Sequence, residues 1–390
     1  MREIPLEERR ARLAMRHGLS RPLGSVTEAA KAMVGLHSSD PVTVYLSARA
    51  RIPGLNAVDV QEALYDQKTV VRMIGMRRTL FVQPRELAAV VHHSSALPQY
   101  RGQRKRTVRM LEEAGITDHG DSWVDEVSEK TLDALRRLGE ATARELTEVV
   151  PELAQRMTIY KRDGSAMGTF GVSTRILFLL AVGGEIVRGR PMGSWVSSMY
   201  RWAPMDRWLG APLQAIDRRL AQAELLRPWL HAFGPATETD VKWWTGWPVT
   251  QVRAALAGVG AVEVRIEDGT GWVLADDVGP IEDQADWVRL LPSLDPTVMG
   301  WKQRDWYLGQ HGRRLFDHNG NAGQTIWANG KVVGGWAQRP TGEINWELLE
   351  DVGADIEEEI ATRAAALSNW LGDHVVVPRF PSPMDKQLSR

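Results

Sequence analysis

A short signature recurs three times along the chain, and it constrains the fold more than any other feature. The copies are Gly24-Ser25-Val26-Thr27-Glu28, Gly139-Glu140-Ala141-Thr142-Ala143 and Gly234-Pro235-Ala236-Thr237-Glu238. In each, the Thr hydroxyl is suited to accept from the exposed backbone N–H groups of a first helical turn, so Thr27, Thr142 and Thr237 are expected as N-caps. Each copy leads into a short helical pattern, over 28–36, 144–150 and 239–244. A second helical pattern follows each time, over 41–51 and 57–65, then 173–181, then 248–257. Self-similarity at this level indicates one supersecondary unit used repeatedly.

Strand-like pairs close each unit. Residues 69–74 and 78–82 flank Gly75-Met76-Arg77; 185–188 precede 197–202; 261–266 and 271–274 flank Glu267-Asp268-Gly269-Thr270. Alternation around Gly-containing connections predicts a hairpin in every case. Helix, helix, then hairpin is the order of a winged helix, a helix-turn-helix variant whose second helix enters a DNA groove. From Leu290 onward the texture changes. Asn329-Gly330 marks a two-residue hairpin loop, and Pro340-Thr341-Gly342 makes another turn before Ile344-Asn345-Trp346. An acidic helix is expected over 355–371. The predicted architecture is α+β: tandem winged helices over 1–110, 111–205 and 206–285, forming a concave array, with a mainly β domain over 286–390.

Charge divides along the same line. Residues 1–110 hold 19 Lys and Arg against 9 Asp and Glu, a net of +10; the rest holds 29 against 40, a net of −11. Such asymmetry places a polyanion against the N-terminal part. The densest cluster, Arg101, Arg104, Lys105, Arg106 and Arg109, reads equally as a solvated helix face. Tryptophan is over-represented, 16 against 12 Tyr plus Phe, and most of these large apolar side chains are expected in the core.

Several chemistries are excluded. The chain has no cysteine, which removes disulfides, thiolate metal sites and a cysteine nucleophile. There is no phosphate loop, no G-x-G-x-x-G after a strand, no H-E-x-x-H and no G-x-S-x-G, so neither a cofactor nor a metal is expected. His92-His93 reads as packing. No apolar run reaches 18 residues, and the N-terminus lacks the apolar region of a secretory signal. No membrane partner and a cytoplasmic, nucleoid-associated location are expected.

One loop stands apart in the basic first unit: Gly35-Leu36-His37-Ser38-Ser39-Asp40-Pro41. Asp40 followed by Pro41 reads as a helix start, with the carboxylate as cap and proline where no N–H is needed. A connection between helices requires neither His37 nor Ser39. An imidazole that is neutral near pH 7 can accept a proton or orient a water, or it can be a hydrogen-bonded loop residue.

These residues carry a resemblance. Gly35-Leu36 with Asp40, Tyr45-Leu46 and Arg49, the turn Arg77-Arg78-Thr79-Leu80, and His231-Ala232-Phe233-Gly234-Pro235-Ala236-Thr237 are similar to the bacterial winged-helix DNA glycosylases of the AlkZ-like family. So are Trp243-Trp244, Leu290-Leu291-Pro292-Ser293-Leu294-Asp295-Pro296 and Val332-Val333-Gly334-Gly335-Trp336. The resemblance implies a concave, duplex-binding surface and removal of alkylated or cross-linked purines. The family's catalytic motif is Gln-x-Gln or Gln-x-Asp directly after Gly-Leu; here the two positions hold His37 and Ser39. In the family picture they hold the water that attacks deoxyribose C1′ as the base leaves. A cationic N7- or N3-alkylpurine needs no acid to depart, so positioning and charge stabilisation suffice.

On this reading the catalytic candidates are His37, Ser39 and Asp40. The DNA contacts are Arg72, Arg77 and Arg78 at the first hairpin, Arg49 and Arg51 nearby, and Lys161, Arg162, Arg175, Arg188 and Arg190 from the second unit. Two functions stay open: a monofunctional glycosylase acting on alkylated purines in double-stranded DNA, or a non-catalytic duplex-binding protein. Three units in one chain favour a monomer on asymmetric DNA over a dimer on half-sites.

Overall fold

The computed structural model describes all residues except 161, 162, 164, 268 and 283–285 and the side chain of Met167. One element order recurs in it three times. In the first unit the helix Val26–Ala32 leads to the strand Leu36–His37, the helix Pro41–Arg49, and the helix Ala57–Gln61 continued by the π-turn Glu62–Asp66. The strands Val70–Ile74 and Leu80–Pro84 follow, and the sheet order places 80–84 in the centre. The register pairs Leu36 with Val82 and His37 with Phe81.

The second unit repeats this with Gly120–Leu138, Ala141–Thr142, Ala143–Val149, Val172–Val182, Ile186–Pro191 and Tyr200–Pro204. It adds an inserted hairpin, Arg156–Tyr160 with Ala166–Gly171. In the third unit, Arg218–Phe233, Glu238–Thr245 and Val249–Gly258 precede the strands Ala261–Ile266 and Gly269–Leu274. There a single bridge from Ala236 to Trp272 takes the place of the first strand.

Capping chemistry accounts for two copies of the signature, which open the second helix of their units, whereas the first copy opens the first helix of its unit. Thr142 and Thr237 each accept from the N–H three residues on, and Glu145 and Asp240 return a bond to the cap's own N–H. In the first copy the cap is Ser25, not Thr27: Ser25 Oγ accepts from Glu28 N at 3.1 Å. Thr27 lies inside the helix and donates to Thr69 Oγ1 at 2.7 Å. Both hydroxyls can cap, and the apolar face of Val26, Ala29 and Ala30, all buried, selects the earlier start.

Two placements depart from a unit-by-unit chain. Residues Arg2–Glu3 pair in parallel with the third unit's strand, Arg2 with Val264, and Ile4 is buried with Val264, Ile266 and Val273. The helix Leu97–Glu113 runs through the expected boundary at 110–111. Within that helix Arg104 is tied to Asp121 and Asp125, while Arg101, Lys105, Arg106 and Arg109 are exposed.

Residues 288–348 form a four-stranded antiparallel meander in sequence order, backed by the helix Ala354–Leu371. Its strands share one core with the first unit and another with the third. Tryptophan fills these joints: Trp229, Trp301, Trp327 and Trp336 are fully buried. Among the described residues, no helix is long and apolar enough to cross a membrane.

Candidate catalytic loop and nucleic-acid interface

Backbone geometry at Gly35 sets the position of the loop. Its φ is +107°, and a Cβ there would stand 2.5 Å from the Gln83 amide, so only glycine lets 36–37 pair with the central strand. His37 thereby packs its ring edge-on to Phe81, centroids 5.1 Å apart, with 5% of its surface exposed. Burial, reinforced by the Arg77 charge, pulls its pKa down to about 3. The imidazole is therefore neutral at every physiological pH. Its Nδ1 accepts from the Ser39 N–H at 3.4 Å, which puts the ring proton on Nε2. His37 thus presents a donor on its other side. Ser39 is half-buried.

Asp40 is committed elsewhere. Its Oδ1 accepts from Val42 N at 3.2 Å and its Oδ2 from Arg379 N at 2.8 Å. Burial pushes the carboxyl pKa up against these bonds and the Arg379 charge. Both oxygens accept from backbone N–H groups, so Asp40 is the helix cap that Asp-Pro predicts. Arg379, 340 residues from Ser39, also donates to the Ser39 carbonyl at 3.3 Å. Nothing in the local sequence around Pro378 signals this.

The turn after Ile74 carries Arg77 and Arg78 at φ of 51° and 63°, a conformation that costs a non-glycine residue about 1–2 kcal/mol. Such strain is characteristic of functional turns. It sends the two guanidinium groups different ways. Arg77 lies 4.2 Å over the Trp243 ring, and Arg304 lies 5.0 Å over the same ring and 4.6 Å over Phe316. The Arg77 stem passes 3.2 Å from where a Cβ of Gly246 would stand, so the bare backbone leaves room for it. Desolvation and repulsion from Arg304 lower the Arg77 pKa to about 10. Arg78 instead is exposed and shares a field with Arg106 and Arg175. Arg175 donates to Thr107 Oγ1 at 2.8 Å.

Behind the same hairpin, between the first and second units, lies a cleft of about 870 Å³. Ile74, Leu80, Phe178 and Trp202 give it apolar walls, and Arg175, Arg188 and Arg379 bring cations to it. Arg188 stands over Tyr200 and Trp202 at 5.4 and 5.1 Å. His37 and Ser39 are not among the residues that line it.

Two expected DNA contacts, Arg51 and Arg72, are buried structural cations instead. Arg51 is buried and paired with Asp295. Arg72 is 1% exposed, donates to Tyr65 Oη at 3.1 Å and stacks on Tyr200 at 4.5 Å. Arg190 is held by both Asp66 oxygens, at 2.8 and 2.9 Å, across the two units. Arg49 turns to the C-terminal helix, donating to the Ala366 carbonyl at 2.9 Å. Lys161 and Arg162 lie outside the described residues. Sequence reading named Trp243 only for the family resemblance and did not single out Arg304 or Arg379; long-range packing brings all three to Arg77 and Ser39. Among the described residues, no three His, Asp or Glu side chains are grouped to hold a metal ion.

The sequence matches the family DNA glycosylase AlkZ-like over residues 30–370. The structure is similar to that of the DNA glycosylase AlkZ of Streptomyces sahachiroi, with a TM-score of 0.72 and 20% identity over 97% of this chain and 99% of the other. That likeness speaks for the fold. Comparison with curated proteins yields no match.

Proposed function

Because the chain belongs to the DNA glycosylase AlkZ-like family, we propose that it is a monofunctional glycosylase that hydrolyses the N-glycosidic bond of alkylated purines in duplex DNA. It works as a monomer, with its three helix–helix–hairpin units acting as tandem winged helices. Base excision repair, or resistance to an alkylating genotoxin, in the nucleoid-associated cytoplasm is the corresponding role. The observation that carries this reading is the neutral His37–Ser39 pair set beside the Arg77–Trp243–Arg304 stack. Two guanidinium groups on one indole, with mutual repulsion, are suited to the phosphates flanking a target nucleotide. Arg78, Arg106 and Arg175 extend the cationic field toward the second unit.

In this reading His37 Nε2–H donates a hydrogen bond to the attacking water and the Ser39 hydroxyl accepts one from it. A water lone pair is then directed at C1′. The N–C1′ bond breaks with its electron pair returning to the purine ring, the water oxygen bonds C1′, and a proton is released to solvent. With Asp40 occupied as a cap, these loop residues bring no carboxylate to the oxocarbenium-like sugar. The leaving group must therefore be activated already, which restricts the substrate to cationic N7- or N3-alkylpurines and comparable adducts.

The test is incubation with duplexes carrying N7-methylguanine or a bulky purine adduct, followed by alkaline cleavage. His37→Ala is expected to abolish scission with little change in duplex affinity. Scission unaffected by that substitution refutes the assigned site. The shallow exposure of His37, 5%, favours a second reading, a duplex binder without catalysis. Duplex affinity with no scission on any lesion selects it.

A further inference from the structure

At the opposite end of the helix Pro41–Arg49 from the catalytic loop lies a second cationic hollow, of about 400 Å³. Three elements far apart in sequence each bring a guanidinium to it: Arg49 from the helix end, Arg289 from the strand Val288–Leu291 and Arg363 from the helix Ala354–Leu371. No Asp or Glu is among the residues that line it.

The charges there are poorly balanced. Arg49 donates to the Ala366 carbonyl and Arg289 to the Val288 carbonyl at 2.8 Å, both neutral acceptors. Arg363 meets Glu359 at 2.6 Å, and the neighbouring Arg51 is matched by Asp295. The Nε groups of Arg49, Arg289 and Arg363 are all buried without a hydrogen-bond partner. After Glu359 is set against Arg363, two positive charges remain uncompensated in a partly desolvated hollow. Desolvation and repulsion from Arg363 accordingly hold both Arg49 and Arg289 near a pKa of about 10. Gathering unpaired cations away from water is costly unless an anion joins them.

We propose that this hollow is a phosphate-binding site. A phosphate dianion matches two surplus charges and offers each planar guanidinium fork a pair of oxygens, whereas a carboxylate supplies one charge and two oxygens. The volume exceeds that of the anion alone and accommodates a phosphate attached to a larger group. The helix between the hollow and the catalytic loop is nine residues long, about 13 Å at 1.5 Å per residue. A terminal phosphate monoester on a free compound carries this dianion; a DNA backbone phosphodiester brings one charge and two free oxygens and would neutralise half of the surplus.

The experiment compares thermal unfolding of the full chain in sodium phosphate and in sodium chloride at equal ionic strength. Phosphate is expected to raise the wild-type Tm above the chloride value, and the difference should shrink in the R289Q/R363Q double variant to the part that general salting-out supplies. Should the double variant not fold, R363Q alone, on a half-exposed helical turn, is expected to lose a substantial part of it. Equal Tm in the two salts, or a phosphate effect as large in the double variant as in wild type, overturns the site, because general salting-out acts on every variant alike. Duplex titration of the same variants separates the sources. A log–log salt slope reduced by about one relative to wild type identifies a backbone phosphate; an unchanged slope with a reduced phosphate effect identifies a free compound. These readings need no glycosylase activity, so the site stands or falls separately from the proposed reaction.

Discussion

The Arg51 guanidinium and the Asp295 carboxylate meet through two parallel hydrogen bonds, at 2.7 and 2.9 Å, with neither side chain exposed. Ser47 Oγ adds a bond to the same carboxylate at 2.6 Å and Thr297 N another at 2.9 Å. The pair fastens the helix that follows the His37–Ser39 loop to the start of the C-terminal unit, 244 residues away. Removing one partner leaves the other as a buried, uncompensated charge, so Asp295→Ala should cost about 3–5 kcal/mol, read as loss of stability in denaturant unfolding. Burial raises the Asp295 pKa, but the Arg51 charge and the hydrogen bonds outweigh it and hold the carboxyl below its ordinary range. The contribution is thus present above the unfolded-state value and lost as pH falls through the folded one.

Buried neutral imidazoles produce an acid dependence at higher pH. His37 and His17 both have folded-state pKa values of about 3, below the ordinary 6.5. Between those limits the unfolded chain binds more protons, so stability falls as pH drops from about 6.5 toward 3. His37→Gln should remove one such proton from the linkage. Its stability loss between pH 7 and pH 5, from urea unfolding, is expected to be smaller than wild type by about 2 kcal/mol. An undiminished loss would mean that His37 is solvated in the folded protein.

How far these features were readable beforehand depends on the distance over which they act. The Thr142 and Thr237 caps were legible because a hydroxyl and the N–H three residues on are all they require. At the first copy two hydroxyls compete within three residues, and only the burial of Val26 decides for Ser25. Asp40 was legible as a cap for the same local reason, but the Arg379 N–H that occupies its second oxygen was not. The basic character of residues 1–110 correctly marked a region rich in cations, yet it did not separate Arg77, stacked on Trp243, from Arg51 and Arg72, which are interior. Partners such as Asp295, Tyr200 and Arg304 lie more than 100 residues away and leave no trace in local spacing. The strand Arg2–Glu3 was missed because two residues pairing in parallel with Val264 carry no periodicity of their own.

Asp40 offers a test that separates capping from chemistry. Asp40→Asn keeps an acceptor oxygen for the helix N-terminus while removing the charge. Scission of N7-methylguanine duplexes should stay within a few-fold of wild type, with a stability loss below that of Asp40→Ala, for which about 1 kcal/mol is typical of a lost cap. A drop in single-turnover rate of about 100-fold or more in Asp40→Asn, at unchanged stability, would place the carboxylate in the reaction after all.

The Arg77–Trp243–Arg304 stack makes a prediction about binding rather than rate. Arg77→Ala removes one cation whose repulsion from Arg304 is relieved only when an anion binds. Duplex affinity should fall, and the log–log salt slope should become shallower by about 0.9, the value for one released counterion. The effect should be alike on damaged and undamaged duplex, since phosphates carry no base identity. A loss confined to damaged DNA would move Arg77 from the backbone to the lesion.

The pairing of a neutral imidazole with Ser39 predicts both the range of substrates and how to extend it. With both Asp40 oxygens engaged, these loop residues give the developing sugar cation no charge stabilisation, and the departing base must bring its own activation. N7-methylguanine and N3-methyladenine should be excised, whereas neutral lesions such as uracil or hypoxanthine should not be released measurably. Ser39→Asp places a carboxylate two residues from His37, where its charge opposes that of the oxocarbenium-like sugar. It should raise the single-turnover rate on N7-methylguanine by about tenfold, equivalent to about 1.4 kcal/mol of transition-state stabilisation. The rate of the Ser39→Asp, His37→Ala double variant then distinguishes the two roles. If His37 holds the water, the double variant stays inactive; if it is only a packed ring against Phe81, the new carboxylate restores scission without it.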